Sequence, residues 1–327
     1  MADDIPVTGA MSYIQYGWES TYGSASGTID KAFGHDVKIT NIERDHGSIP
    51  IYALGSNDPS KAAAGKFAGS ISVEFVMAST YFMRAVLGLE TIGGAGPYTH
   101  TYAYNTGNVV TSITIEHGID LDTDNVYKYL GCVLRTCEIV CSINEPIKVR
   151  LIFDYANESL AAVGYDASPA TDSEEPFSYS QASLEIPNGT VINRVQSFTL
   201  TINRNPTITY SLDDRRGQKA VWGETRWEWR MTVAEENDDL IADAYGQATG
   251  PLQKTLPSGE ASLELTIQNS DTSPATDERK LVFLMSTTHI GSDTMSVEVG
   301  SVIFHDFSGY CLGKTSIIGT DNTTPTP

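Results

Sequence analysis

The sequence has little cysteine, little basic charge, scarce helical periodicity and no long apolar run. No stretch approaches the roughly 20 apolar residues a helix needs to cross a bilayer. Four cysteines in 327 residues are too few for a small disulfide-stapled scaffold. Lys and Arg number 21 against 41 Asp and Glu, a formal charge of −20. A protein that grips duplex DNA gains from displacing phosphate counterions and carries a basic face, which this balance opposes. The first twenty residues have neither the basic start nor the apolar segment of a secretory signal, so a soluble protein made in the cytoplasm is expected. The sequons at Asn157, Asn188 and Asn322 then read as chance.

Catalytic signatures are missing as well. There is no GxSxG, no GxxxxGK[ST] and no GxGxxG between a strand and a helix. Gly93–Gly96 precedes a strand and reads as a loop. The six histidines show no metal-ligand spacing, and His35–Asp36 and Asp45–His46 read as polar loop pairs. Cys132, Cys137 and Cys141 lie in a strand pattern that puts Cys137 and Cys141 on one face and Cys132 on the other, as buried thiols. The run Glu235–Asp239 lacks the spaced acids of a calcium loop and suits the first turn of a helix. No catalytic residue, cofactor or metal is expected.

What is present is alternation. Ile71, Val73, Phe75 and Met77 share one face, with Ser70, Ser72 and Glu74 opposite. Trp227, Trp229, Met231 and Val233 repeat the pattern against Arg226, Glu228, Arg230 and Thr232. Further strands are expected at 37–42, 50–54, 109–116, 126–143, 147–155, 196–203, 207–212, 261–268, 280–288 and 294–307. Helical pattern is confined to 80–87 and 238–245, which stop at Gly88 and Gly246. The fold class is mostly β: two tandem related β-sandwich or barrel domains, each with one short flanking α-helix.

The tandem reading comes from self-comparison. A shift of 154 sets Gly69 on Gly223 and Glu74 on Glu228 (223 − 69, 228 − 74), and the inward faces of the two strands coincide. The expected boundaries are an arm at 1–33, a first domain at 34–156, a linker at 157–176, a second domain at 177–319 and a disordered tail at 320–327. The arm is aromatic (Tyr13, Tyr16, Trp18, Tyr22, Phe33). It either lies on a partner or folds back on its own domain.

GWESTYG near the start, the glycine-led strand and helix ending in AVLG, PYTHTY, and VQSFTLTINRNPTITYSL in the second half together resemble the tail tube proteins of long-tailed viruses of bacteria and archaea, of the two-domain type. The resemblance spans roughly residues 11–310. It implies a β-sandwich or barrel per domain and stacked rings forming a hollow conduit for viral DNA. With two domains per chain it implies trimeric rings with a pseudo-sixfold wall. It also implies contacts with other tail proteins (tape measure, tail terminator, baseplate or tip), no membrane, and residence in the virion after synthesis in the host cytoplasm.

The residues add expectations of their own. An acidic lumen repels phosphates and lets DNA slide, with Glu74, Glu228, Glu116 and Glu138 as candidate lining acids. The loops 52–68 and 213–222 are long enough to need a role. The family's use of such loops implies contact with the adjacent ring, through Asp58, Lys61 and Lys66 in the first and Asp213, Asp214, Arg215, Arg216 and Lys219 in the second. The rival from another class is a β-sandwich binding module on a virion or cell surface, stacking carbohydrate on Tyr13, Trp18, Trp222, Trp227 and Trp229. Alternation of the last two with polar residues favours core packing instead.

Overall fold

A computed structural model describes residues 12–55, 57–94, 98–104, 110–120, 125–161, 165–186, 189–234, 240–241, 262–269, 279–312 and 316–321. The first half carries β1 (Ser12–Trp18), β2 (His35–Asp45), β3 (Ser48–Tyr52), β4 (Pro59–Ala64), β5 (Ala68–Val76), α1 (Met83–Leu87), β6 (Gly88–Gly93), β7 (Tyr98–Tyr104), β8 (Ile113–Ile119), β9 (Asn125–Ser142), β10 (Lys148–Tyr155) and β11 (Asn157–Ala161). The second half carries a 3-10 turn at Tyr179–Gln181 and then β12 (Ala182–Glu185), β13 (Val195–Asn203), β14 (Thr207–Ser211), β15 (Asp214–Val221), β16 (Arg226–Ala234), β17 (Leu263–Gln268), β18 (Lys280–Met285), β19 (Thr288–Ser296), β20 (Phe304–Cys311) and β21 (Ser316–Asp321).

The main sheet runs β2–β5–β10–β9–β13–β16–β20–β19, with every neighbouring pair antiparallel. A second sheet runs β12–β17–β18–β21–β7–β6 and draws strands from both halves. The long strand β9 belongs to two surroundings. Its first part pairs with β8 and β11, and its second part with β10 and β13. Alternation along each strand sends the apolar residues inward. Val73, Phe75, Leu151, Leu200, Trp229 and Phe307 of the main sheet meet Leu265, Phe283, Tyr102 and Ile317 of the second in one core cluster. The result is a mostly β sandwich. Two hairpins, β3–β4 and β14–β15, pair only internally and project from it.

Helix α1 is short and buried on Met83, Ala85, Val86 and Leu87. It ends where Gly88 adopts φ 97° and returns its N–H to Arg84 O, the left-handed stop that glycine accepts at no steric cost. The expected helix at 238–245 lies outside the described residues except for 240 and 241, which are helical.

Several expectations need correction. The segment 157–176 begins with a strand, β11, paired to β9. The polar stretches 52–68 and 213–222 contain hairpin strands, β4 in the first and β15 in the second. The stretch 294–307 is not one strand, because β19 ends at Ser296 and β20 begins at Phe304. From residue 12 onward the arm folds back: β1 pairs with β8, and Tyr13, Tyr16 and Phe33 are buried. The tail begins later than expected, since β21 runs to Asp321, and the rest lies outside the described residues. Cys132, Cys137 and Cys141 are all buried. A bulge near Arg135 shifts the register between Ile152 and Phe153, so Leu134 and Cys137 both face the core despite their odd spacing. Burial raises the Cys141 thiol to about 12, which keeps it protonated and inert.

Candidate functional site

One side of the main sheet is covered by the second layer. The other side carries no second layer among the described residues, although β14–β15 leans over its Ala68, Ser70 and Asp154, and cross-strand pairing aligns its residues into rows. One row reads Lys38, Glu74, Arg150, Glu138, Thr201, Glu228, Tyr310, His289 across all eight strands. Three of the four candidate lumen acids therefore share one line on one face. They are interleaved with cations: Arg150 lies between Glu74 and Glu138, and Arg226 and Arg230 flank Glu228 along its own strand. The face is hydrophilic and of mixed sign.

Glu116 stands elsewhere. It is buried on β8, where Tyr13 Oη donates to it at 2.8 Å, Gln15 Nε2 donates at 2.9 Å, and Lys128 Nζ pairs with it at 2.9 Å. Those donors tie β1 to β8 and β9. A carboxylate satisfied this way is an internal fastener.

The two hairpins differ in their surroundings. β14–β15 is seated on the first half of its own chain. Arg215 O accepts from Phe67 N at 2.8 Å, and the Arg215 guanidinium donates to His46 O. Gly217 N donates to Ala156 O at 3.2 Å. Ala220 is buried with Val110 and Val133, with Tyr22, Ile208 and Trp222 packed around them. Lys66 Nζ lies 5.6 Å from the centre of the Tyr210 ring. Asp214 and Arg216 pair with each other at 2.6 Å, and that contact holds the Asp214 carboxyl well below its usual range. Asp213 accepts from Ser211, and Lys219 is exposed. By contrast β3–β4, which carries Lys61, is almost wholly exposed, including Ile49, Ile51 and Tyr52. Asp58 lies just before β4 and is exposed.

Sequence reading missed two further residues that fix this framework. Glu19, in the loop after β1, accepts from Gly23 N, Ser112 Oγ, Thr114 Oγ1 and Gly131 N at 2.7–2.9 Å. Arg204, at the end of β13, reaches across to the first half and donates to Val86 O at 2.9 Å and Leu87 O at 3.3 Å. It therefore caps α1, while its guanidinium lies 4.0 Å from the Trp222 ring centre and 5.1 Å from that of Tyr104. Burial lowers it to about 10. Glu19 stands in GWES, but its partners come from residues 23, 112, 114 and 131, so no local spacing shows its role. No local pattern announces Arg204.

The aromatic rival loses its strongest members to the core. Trp227, Trp229 and Tyr13 are buried, and Trp222 is sandwiched against Arg204.

At the two ends of the main sheet, β2 and β19 each pair on one side only among the described residues. An unpaired strand edge is a template for another chain. Such a subunit is a β-sandwich building block of a larger assembly. A family model for phage tail tube proteins matches residues 9–300, and the chain belongs to that family. It is a structural component of the virion tail rather than an enzyme, and it assembles with its own kind into the tube alongside other tail proteins. No curated protein matches it.

Proposed function

We propose that the two halves are tandem copies of one tube domain and that three chains close a ring with a pseudo-sixfold wall. Rings then stack into a conduit for viral DNA. The observation that carries this reading is the junction between β9 and β13. The first half contributes the order β2–β5–β10–β9 to the main sheet, and the second repeats it as β13–β16–β20–β19. Each half inserts a hairpin at the same place, between β2 and β5 and between β13 and β16. The trailing edge of the first copy thus pairs with the leading edge of the second. The free edges β19 and β2 are the counterparts of β9 and β13. The same pairing between chains continues the sheet until it closes, and closure removes both edges.

Pairing register supplies the residue equivalence. Asp45 pairs with Ala68 as Asn203 pairs with Arg226, an offset of 158 in both (203 − 45 and 226 − 68). This replaces the offset of 154 read from the sequence. The difference is even, so inward and outward faces still match. The hairpin bases agree in detail. Gly47 and Asn205, equivalent at 158, both have positive φ (55° and 42°). A Cβ on Gly65 or on its counterpart Gly223 would run into the carbonyl of that same residue.

In such a ring the polar face lines the bore, because the opposite face carries the second layer. Glu74 and Glu138 then lie on the lumen, and Glu228 lies on the same face nearer the seam with the neighbouring chain. Their carboxylates neutralise the neighbouring cations, so the wall offers phosphates no uncompensated positive patch. Assembly proceeds after synthesis in the host cytoplasm, with tape measure, terminator and baseplate or tip proteins at its ends. Negative-stain electron microscopy over a concentration series tests the reading. Hollow rings or tubes are expected, and a compact monomer under all conditions would contradict it.

A further inference from the structure

We infer that the β3–β4 hairpin is a lateral clasp, seated in a groove on the second half of the neighbouring chain within the same ring. This rests on the ring reading above and deepens it. The contact is already present once inside the chain, where β14–β15 clasps the first half. There, the start of β14 (Pro206–Tyr210) closes a groove of about 590 Å³ whose other lining includes Lys66, Ala68, Ser70, Arg135 and Asp154.

The second half has the same groove, with no hairpin seated on it among the described residues. At the offset of 158, Lys66, Ala68 and Ser70 become Glu224, Arg226 and Glu228. Along the last two strands the offset is 156, because Val149 pairs with Ile139 as His305 pairs with Met295 (305 − 149 and 295 − 139). Arg135 and Asp154 then become Gly291 and Tyr310. All five counterparts line a groove of about 570 Å³, at whose rim Tyr310 and Leu312 are exposed.

The segment equivalent to Pro206–Tyr210 is Ser48–Tyr52, the strand β3. On its own chain its Ile49, Ile51 and Tyr52 are exposed, which is costly for apolar side chains without a partner. Because β2 lies beside the neighbour's β19 in the ring, a hairpin leaning the way β14–β15 leans would arrive at this groove. Charge agrees: Lys61 sits opposite Ile51 in the hairpin, and the groove offers Glu224 and Glu228. The clasp therefore acts sideways, within one ring, and the second hairpin is its internal counterpart.

The test is thiol cross-linking of assembled full-length chains. Tyr210 and Lys66 touch within the chain, and their counterparts across chains are Tyr52 and Glu224. Chains carrying Tyr52→Cys and chains carrying Glu224→Cys are mixed, assembled and treated with a short thiol-to-thiol cross-linker. A cross-linked pair is expected from the mixture, with at least a tenfold lower yield from either variant alone. The double variant is expected to give a covalent series that stops at three chains. As a second measurement, Ile49→Asp with Ile51→Asp is expected to leave the monomer's melting curve unchanged and abolish rings. Rings or tubes without the cross-link, or a covalent ladder running past three chains into adjacent rings, would overturn the clasp while leaving the ring intact. Failure of the unmodified chain to form rings at all would overturn both.

Discussion

Arg204 shows how one side chain ties the two halves together. Its partners are carbonyls 117 and 118 residues away, at the end of α1. Replacing it by alanine leaves two buried acceptors unpaired, each worth about 1–3 kcal/mol. Arg204→Ala is therefore expected to lower unfolding stability by about 2–4 kcal/mol in a denaturant titration, with Arg204→Lys recovering part of the loss. His117 makes a pH-dependent contribution. Burial, with the nearby Arg44 second, lowers its pKa below the usual value. The folded chain then binds this proton less readily than the unfolded chain. Stability is full above the unfolded pKa of about 6.5 and falls as pH drops through it. His117→Gln should flatten the melting temperature against pH below about 6.5, and an unchanged slope would refute the assignment. At this scale the sequence was readable where a residue's role is local. Trp227 and Trp229 alternate with polar neighbours, and both are core. Arg204 and the donors around Glu116 were not readable, because their partners come from distant strands.

Elements were legible in proportion to how one-sided they are. β10, β13, β16 and the second part of β9 bury one face more deeply than the other, and β5 alternates apolar with polar residues, so period-two alternation placed them within a few residues. Of the two hairpins, β3 and β14 were met by the strands expected at 50–54 and 207–212, whereas β4 and β15 read as polar loops because they lie outside the main core, where nothing enforces alternation. β1 and β11 were hidden by brevity and by pairing that only the folded chain reveals. The two hairpins lead to opposite expectations. Shortening β14–β15 to a tight turn removes the packing of Ala220 and Ile208 on the first half. It should lower monomer stability by about 1–3 kcal/mol, the scale of one or two buried side chains. Shortening β3–β4 should leave the monomer within about 0.5 kcal/mol of the parent. Its effect should appear instead as lost assembly in sedimentation velocity. In the core, Trp229→Ala should cost about 3–5 kcal/mol, because Gly309 has given up a side chain to make room for that ring.

For the whole molecule, the polar face of the main sheet is the wall of the proposed bore. The formal charge of −20 suggested a uniformly acidic bore, yet the aligned row alternates acids with Lys38 and Arg150. Passage without adhesion then depends on the carboxylates that neutralise those cations. Tubes of the parent chain should not retain double-stranded DNA fragments at low salt. Tubes carrying Glu74→Lys and Glu138→Lys should retain them, with binding lost as salt rises. The family was visible in the sequence from the order of elements. The offset of the proposed repeat was not, because strand register is set by pairing between strands far apart in the chain. The central claim is that two copies in each chain make three chains sufficient for a ring. The most direct test is the mass of the isolated ring by native mass spectrometry. The account predicts three times the 35.4 kDa of the chain, whereas a ring of six chains, or of any number other than three, would contradict it.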